Sequence, residues 1–332
     1  MVKRLLSIPL LAAAQAFAPT VTLADTPVLT VYASTSFASE WGPGPAIEEA
    51  FEKVCGCDLQ YRTNDVVPTL MLEGSNTEAD VVIGISTDET LRARQTGLFG
   101  PHNEPLAELS LPVTWADETF LPFDYGDTAF IYDKTKITNP PTSFEALAAL
   151  PEDVKIVIQD PRSSGAGLAL VLWVKSVYGD KAEDYWKRLA PNILTVTKGW
   201  SEAYGLFTSG EADMVMSYIT SPVYHMLVEK DDTKVAAIFG EGHYFTAEVV
   251  GQIAGTDQPE LAQSFMDFIL SETFQEMIPR TNFGFPVKLD PAKLPAEFGK
   301  LNLPSKSLFY SEAEVAALRD DAVAEWQRAL SQ

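Results

Sequence analysis

One stretch constrains this chain more than any other: residues 195–224, TVTKGWSEAYGLFTSGEADMVMSYITSPVY. It reads as a short strand, a turn at Gly199 and Trp200, a helix stopped by Gly210, a buried strand and a Ser/Thr/Pro loop. In open α/β sheets, ligands bind beyond the carboxyl ends of strands and at helix N-termini. Trp200 opens the helix, Tyr218 closes the strand and Tyr224 follows in the next turn. One such ring is usually core. Three on loop edges beside one strand end favour a binding crevice.

A second feature is an internal echo. Glu78-Ala79-Asp80-Val81-Val82-Ile83-Gly84 matches Glu211-Ala212-Asp213-Met214-Val215-Met216-Ser217, and each follows a Gly-ended helix. A helix-turn-strand unit used twice, far apart, predicts two lobes of similar build, with chance as the rival for so short a match. The 332 residues, 46% hydrophobic, suffice for one large or two medium α/β domains. We expect an export signal over 1–24, a first lobe over 25–125, a second over 126–248, and a return to the first lobe with C-terminal helices over 249–332. In the signal, Lys3 and Arg4 precede an apolar run, and Thr22-Leu23-Ala24 supplies the cleavage site. No later apolar run is long enough to cross a bilayer, so the exported protein is expected to be periplasmic.

Net charge is −22. Such a surface repels nucleic acid and anionic lipid and favours cationic ligands, although many exported proteins are acidic. Cys55 and Cys57 make a weak metal site, with no histidine nearby. In an oxidising compartment they are expected to form a small-loop disulfide.

Val28 to Tyr32 reads as a strand, and Pro45 opens a helix over 46–54. Strands follow at 59–63 and 81–85, the latter all apolar as in a central parallel strand. Short helices are expected at 69–73 and 88–95. A lobe boundary falls near 122–130. Ser143 and Ser311 suit N-caps, and 259–270 has Leu261, Phe265, Phe268 and Ile269 on one face.

Ser163-Ser164-Gly165 precede a helix, where hydroxyls and free N–H groups cradle an anion; plain capping is an equal alternative. Asp65 lies just past a strand end and can meet a cation or amino group, though a loop carboxylate in water is the commoner fate. Trp200, Tyr218 and Tyr224 offer faces worth about 0.5–2 kcal/mol each to a cationic ring. Trp41, between prolines and glycines, can close that cage from the other lobe or cap a hydrophobic helix end. No catalytic constellation is present: the three histidines are scattered, and there is no GxSxG elbow, Walker loop or GxGxxG. No enzyme activity, metal or cofactor is expected.

Several motifs together resemble the periplasmic thiamine-binding proteins of bacterial ABC importers: VLTVYASTSFASEWGPGP (28–45), FLPFDYGDTAFIYDK (120–134), QDPRSSGAGLALVLW (159–173), VTKGWSEAYGLF (196–207) and SYITSPVYH (217–225). The similarity runs from about residue 26 to the C-terminal EWQRAL. It implies a two-lobe type II periplasmic binding fold, each lobe a mixed, mostly parallel sheet flanked by helices, with two hinge crossovers. The implied ligand is thiamine, thiamine monophosphate or thiamine diphosphate, handed to an inner-membrane permease by a monomer. The implied contacts are Asp65 and Val66 at the aminopyrimidine end, and Ser164 and Gly165 (beside Ser163) at the hydroxyethyl or phosphate end. Trp200 is the implied stacking ring, Tyr218, Ile219, Thr220 and Ser221 the cleft lining, and Tyr224 and Trp41 further walls. Phe283 stands where those proteins carry Trp, and Ser34 where they carry an aromatic. The segment after Asp65 is about three residues shorter than theirs.

Two other classes of reading compete. A polyamine binder suits the charge, and ferric binders usually present adjacent tyrosines, which are missing here. An exported hydrolase of thiamine phosphates is the enzymatic alternative.

Overall fold

The protein is described here by a computed structural model covering residues 26–331; the export signal read at 1–24 lies outside the described residues. Strands and helices alternate from the start: β1 (Val28–Ala33), α1 (Gly44–Cys55), β2 (Asp58–Thr63), α2 (Val66–Glu73), β3 (Val81–Ser86) and α3 (Thr90–Gln95). The long β4 (Leu121–Asp133) leads to α4 (Phe144–Ala148), β5 (Ile156–Gln159), α5 (Gly165–Tyr178), α6 (Ala182–Leu189), β6 (Ile193–Thr197), α7 (Trp200–Thr208), β7 (Met214–Tyr218) and the single turn α8 (Pro222–Tyr224). Then come β8 (Lys234–Ala237), the long β9 (His243–Gln252), α9 (Pro259–Ile269), α10 (Glu272–Thr281), β10 (Phe285–Pro286), β11 (Ser307–Leu308) and α11 (Glu312–Leu330).

The main strand order is β2-β1-β3-β9-β4-β7-β5-β6. β2, β1 and β3 are parallel, as are β7, β5 and β6; β9 and β4 run antiparallel between the two sets. The two long strands belong to both halves. β4 pairs with β9 from Leu121 to Asp127, then with β7 from Thr128 to Tyr132. The changeover falls between Asp127 and Thr128. β9 starts against β11 at His243 and Tyr244, and ends against β3. Two continuous strands linking two half-sheets are the expected pair of crossovers, and they leave few ways to move other than bending about that pair.

The echo has a structural cause. β3 and β7 occupy corresponding places, each antiparallel to one of the long strands. Asp80 Oδ2 accepts the Thr30 N–H at 2.7 Å, and Asp213 Oδ2 accepts the Lys155 N–H at 2.8 Å. Asp80 ties the start of β3 to β1, and Asp213 ties the start of β7 to the chain entering β5.

Each half-sheet is packed on both faces. Phe51, Phe265, Phe268 and Phe274 cover one face of the first, and Val67, Leu70 and Val82 the other. Phe130, Phe144, Trp173, Tyr185 and Trp186 fill one face of the second, and Val157, Ala203 and Phe207 the other. Each fully buried large side chain stabilises by about 1.5–3 kcal/mol relative to exposure. Beyond β9, α9 and α10 pack on the first half-sheet, whereas Val315, Ala322, Trp326 and Ala329 of α11 join the Trp173 cluster of the second half. The apolar stripe of α11 finds α5 and α6, and Lys175 Nζ, nearly buried, bonds Glu325 at 2.7 Å.

Ser143 and Ser311 cap their helices as expected, the latter in a capping box with Glu314. Cys55 and Cys57 are bonded to each other where α1 ends, with Gly56 between them at φ +63°. No helix among the described residues is long and apolar enough to cross a membrane.

Candidate functional site

The carboxyl ends of the parallel strands of the two halves approach one another: Gly165 after β5 abuts Ser86 at the end of β3, and Asp65 after β2 meets Lys198 after β6, the place where open α/β sheets bind ligands. From the second half, Trp200 begins α7. Its Nε1 donates to Ser217 Oγ at 2.8 Å, and its ring stacks on Tyr204 at 4.6 Å. The Tyr204 hydroxyl lies 2.9 Å from His225 Nε2, whose Nδ1 lies 2.7 Å from Glu229. A hydrogen-bonded chain therefore backs the indole and fixes its plane. From the first half, the Trp41 ring comes within 5.7 Å of Trp200, while Trp41 itself stays 53% exposed.

Asp65 holds the N-cap position of α2 but makes no side-chain cap. Its Oδ2 instead lies 3.4 Å from Lys198 Nζ across the cleft. The Lys198 carbonyl accepts the Ser163 hydroxyl at 2.8 Å. Ser164 caps α5 by accepting the Gly167 N–H. A methyl group on Gly165 would lie 3.3 Å from Ser86 Cβ and 3.7 Å from Glu89 Oε2, so the start of α5 abuts the end of β3. Lys198 thus connects Asp65 of the first half with the start of α5 in the second, its ammonium meeting the carboxylate and its carbonyl the Ser163 hydroxyl.

Tyr218 ends β7 over Gly126, where an added methyl would come 4.0 Å from the Tyr218 Cβ. Ser221 Oγ accepts the Tyr218 N–H and lies 2.7 Å from Ser217 Oγ. The Ile219 N–H donates to the Asp127 carbonyl on β4, and the Thr220 side chain is buried. The Ile219 and Val66 side chains are themselves core, so only their backbones are available to a ligand. Tyr224 meets Phe283 of the first half edge-on at 5.4 Å. Phe283 takes φ +58°, an uncommon left-handed conformation for a bulky residue, which suits a shaped loop.

Sequence reasoning missed the floor. Asp124 of β4 and Glu248 of β9 are register partners on the two crossing strands. Asn282 Nδ2 donates to both, at 2.5 Å to Asp124 and 2.7 Å to Glu248. Gly284 lies against the Asp124 carboxylate, leaving no room for a Cβ. Burial raises the Asp124 pKa well above the usual range, and the Glu248 charge adds to it; burial raises Glu248 as well. Burial also pushes Asp88 up to about 7 and Asp127 up to about 6. The Tyr218 hydroxyl is raised first by burial, then by the charges of Glu248, Asp124, Asp88 and Glu89. Where these carboxyls are ionised, their charges reach the Tyr218 hydroxyl and favour a cation beside it. In the sequence, FDYG (123–126) shows a carboxylate within a strand but not the Glu248 that pairs with it. Two cavities of about 460 and 500 Å³, around Pro140–Thr142 and Leu106–Trp115, hold none of these residues.

Two α/β halves joined by two crossing strands, with aromatic rings and carboxylates converging between them, define a two-lobe solute-binding protein. Residues 46–297 match the family described as bacterial extracellular solute-binding protein. The chain is 46% identical to the thiamine-binding periplasmic protein of Escherichia coli K12 over 335 aligned positions, covering 100% of both chains. It is 45% identical to that of Salmonella typhimurium LT2, again over 100% of both. A solved structure titled periplasmic thiamin binding protein superposes with a TM-score of 0.90 at 46% identity, covering 96% of this chain and 100% of that one. The chain belongs to the thiamine-binding periplasmic proteins within the bacterial extracellular solute-binding family.

Proposed function

We infer that this chain is the periplasmic substrate-binding component of an ABC importer, capturing thiamine and delivering it to the membrane permease. The observation that carries this reading is the meeting of the two halves at Trp41 and Trp200, whose rings lie 5.7 Å apart, with Asp65 reaching Lys198 from one half to the other. Thiamine has a permanent thiazolium cation, an aminopyrimidine and a hydroxyethyl tail. Rings accept the cation, Asp65 accepts hydrogen bonds from the amino group, and the hydroxyl-lined rim takes the tail. Capture on one half followed by bending of β4 and β9 expels water, and thiamine stabilises the closed form only as far as it binds that form better than the open one. The closed monomer is what the permease recognises. The protein works as a carrier, with no catalytic step and no cofactor. Native mass spectrometry of freshly purified protein tests this: a bound mass equal to thiamine supports the reading, and a polyamine or ferric adduct in its place counts against it.

A further inference from the structure

We propose that Glu229, a partly exposed carboxylate linked to Trp200 through His225 and Tyr204, is a positioning residue for thiamine binding: it fixes the planes of Trp200 and Tyr224, two ring walls of the second half, from one point at the surface. This deepens the thiamine reading and rests on it.

His225 and Glu229 are the two ends of a five-residue π-helix that follows Tyr224. Such turns are rare and recur at functional positions. This one places Glu229 Oε2 2.7 Å from Nδ1 of a fully buried His225. An ionised carboxylate only accepts, so the neutral imidazole carries its proton on Nδ1 and accepts the Tyr204 O–H at Nε2, 2.9 Å away. The Ser221 hydroxyl in turn serves as donor to the Tyr204 oxygen. Ser217 then donates to Ser221 over 2.7 Å and accepts the Trp200 indole N–H over 2.8 Å. The indole N–H only donates and the carboxylate only accepts, so the hydrogen bonds run one way, from Trp200 to Glu229.

The rings follow the same path. Tyr204 stacks on Trp200 at 4.6 Å and on His225 at 5.8 Å, so indole, phenol and imidazole form one pile. Tyr224 meets the His225 ring edge-on at 5.1 Å. Burial raises the Tyr224 hydroxyl, and the charge of the Glu229 carboxylate beside it adds to that. A ring held in place before the ligand arrives costs less to order on binding than a ring left free to turn. Without Glu229 the buried Nδ1–H has no acceptor; the imidazole turns or changes tautomer, and Tyr204 loses the partner that holds it behind Trp200. The Glu229 side chain is itself partly exposed, so its removal opens no cavity in the core.

The test is calorimetric titration with thiamine of the unmodified protein, Glu229→Ala, Glu229→Gln, Tyr204→Phe and the double variant Glu229→Ala/Tyr204→Phe, with a melting curve for each. Glu229→Ala should weaken binding about fivefold to tenfold while the protein stays folded. Glu229→Gln keeps an acceptor for Nδ1–H and should recover most of that loss. Tyr204→Phe keeps the stack but not the hydroxyl and should lose a similar amount. The double variant should lose about as much as the weaker single variant, not the product of the two, because both changes cut one chain. The inference is overturned if Glu229→Ala binds as the unmodified protein does, if Glu229→Gln binds no better than Glu229→Ala, or if the two losses multiply. Where Glu229→Ala does not fold, Tyr204→Phe decides: unchanged affinity overturns the inference, and a loss of about fivefold or more supports it. Absence of thiamine binding by the unmodified protein would instead remove the functional reading itself, and the inference with it.

Discussion

The rings of Trp41 and Trp200 lie 5.7 Å apart at 42° to one another, one from each half of the molecule. Neither ring is clamped by the other's lobe. Trp200 is held by Tyr204 and Ser217 of its own half, and Trp41 is largely exposed. Their approach therefore reports closure of the cleft rather than local packing.

That difference in support separates two tryptophans by role. Trp200→Ala should weaken thiamine binding by about tenfold to a hundredfold, the loss of about 1.4–2.8 kcal/mol. Its effect on folding should be small. Trp173 is fully buried in the second core, with Nε1 donating to the Gly242 carbonyl at 3.0 Å. Trp173→Ala should cost about 3–5 kcal/mol of stability. Binding isotherms and melting curves on both variants check this; equal losses of affinity in folded protein would contradict the assignment.

The buried carboxylates make stability depend on pH in an unusual direction. Asp124, Glu248, Asp88 and Asp127 all have pKa values raised in the folded state, chiefly by burial. The folded protein then binds more protons than the unfolded chain between the unfolded and folded values. Their contribution is complete below the unfolded pKa and is lost as pH rises through the folded one. The melting temperature should rise as pH drops from about 8 to about 6. Asp124→Asn should flatten that slope. A melting temperature that falls steadily over this window would argue against the raised values.

Thiamine brings a fixed positive charge to this floor, which favours the ionised carboxylates. Binding should release protons near neutral pH, visible as a dependence of the binding heat on the ionisation enthalpy of the buffer. Identical heats in buffers of different ionisation enthalpy would mean the ligand does not sense these groups.

Cys55 and Cys57 close a very short loop, so chain entropy gives their bond only about 1–2 kcal/mol. Native protein should show no reactive thiol until reduced. The double serine variant should bind thiamine unchanged, since the bond caps α1 beside the first core. Two titratable thiols in native, unreduced protein would disprove the link.

Much of the fold was legible because local chemistry agreed with the global plan. Ser143 and Ser311 announced their helices, the apolar run at β3 announced a covered strand, and the Glu-Ala-Asp echo announced two related halves. The destination of α11 was not legible: its apolar stripe shows that it must pack, but not on which half. In the site, the aromatics and the α5 rim stood out because they fall at strand ends and turns. Asp124 and Glu248 did not, because a mid-strand carboxylate gains meaning only from its partner on the neighbouring strand, far away in sequence. Lys198 was hidden for the same reason: it meets Asp65 only across the two halves.

The most direct measurement is calorimetric titration of ligand-stripped protein with thiamine, spermidine and ferric ion in parallel. The account predicts a saturable one-site isotherm with thiamine and no comparable heat with the other two. A clear spermidine or ferric isotherm with no heat from thiamine would contradict it.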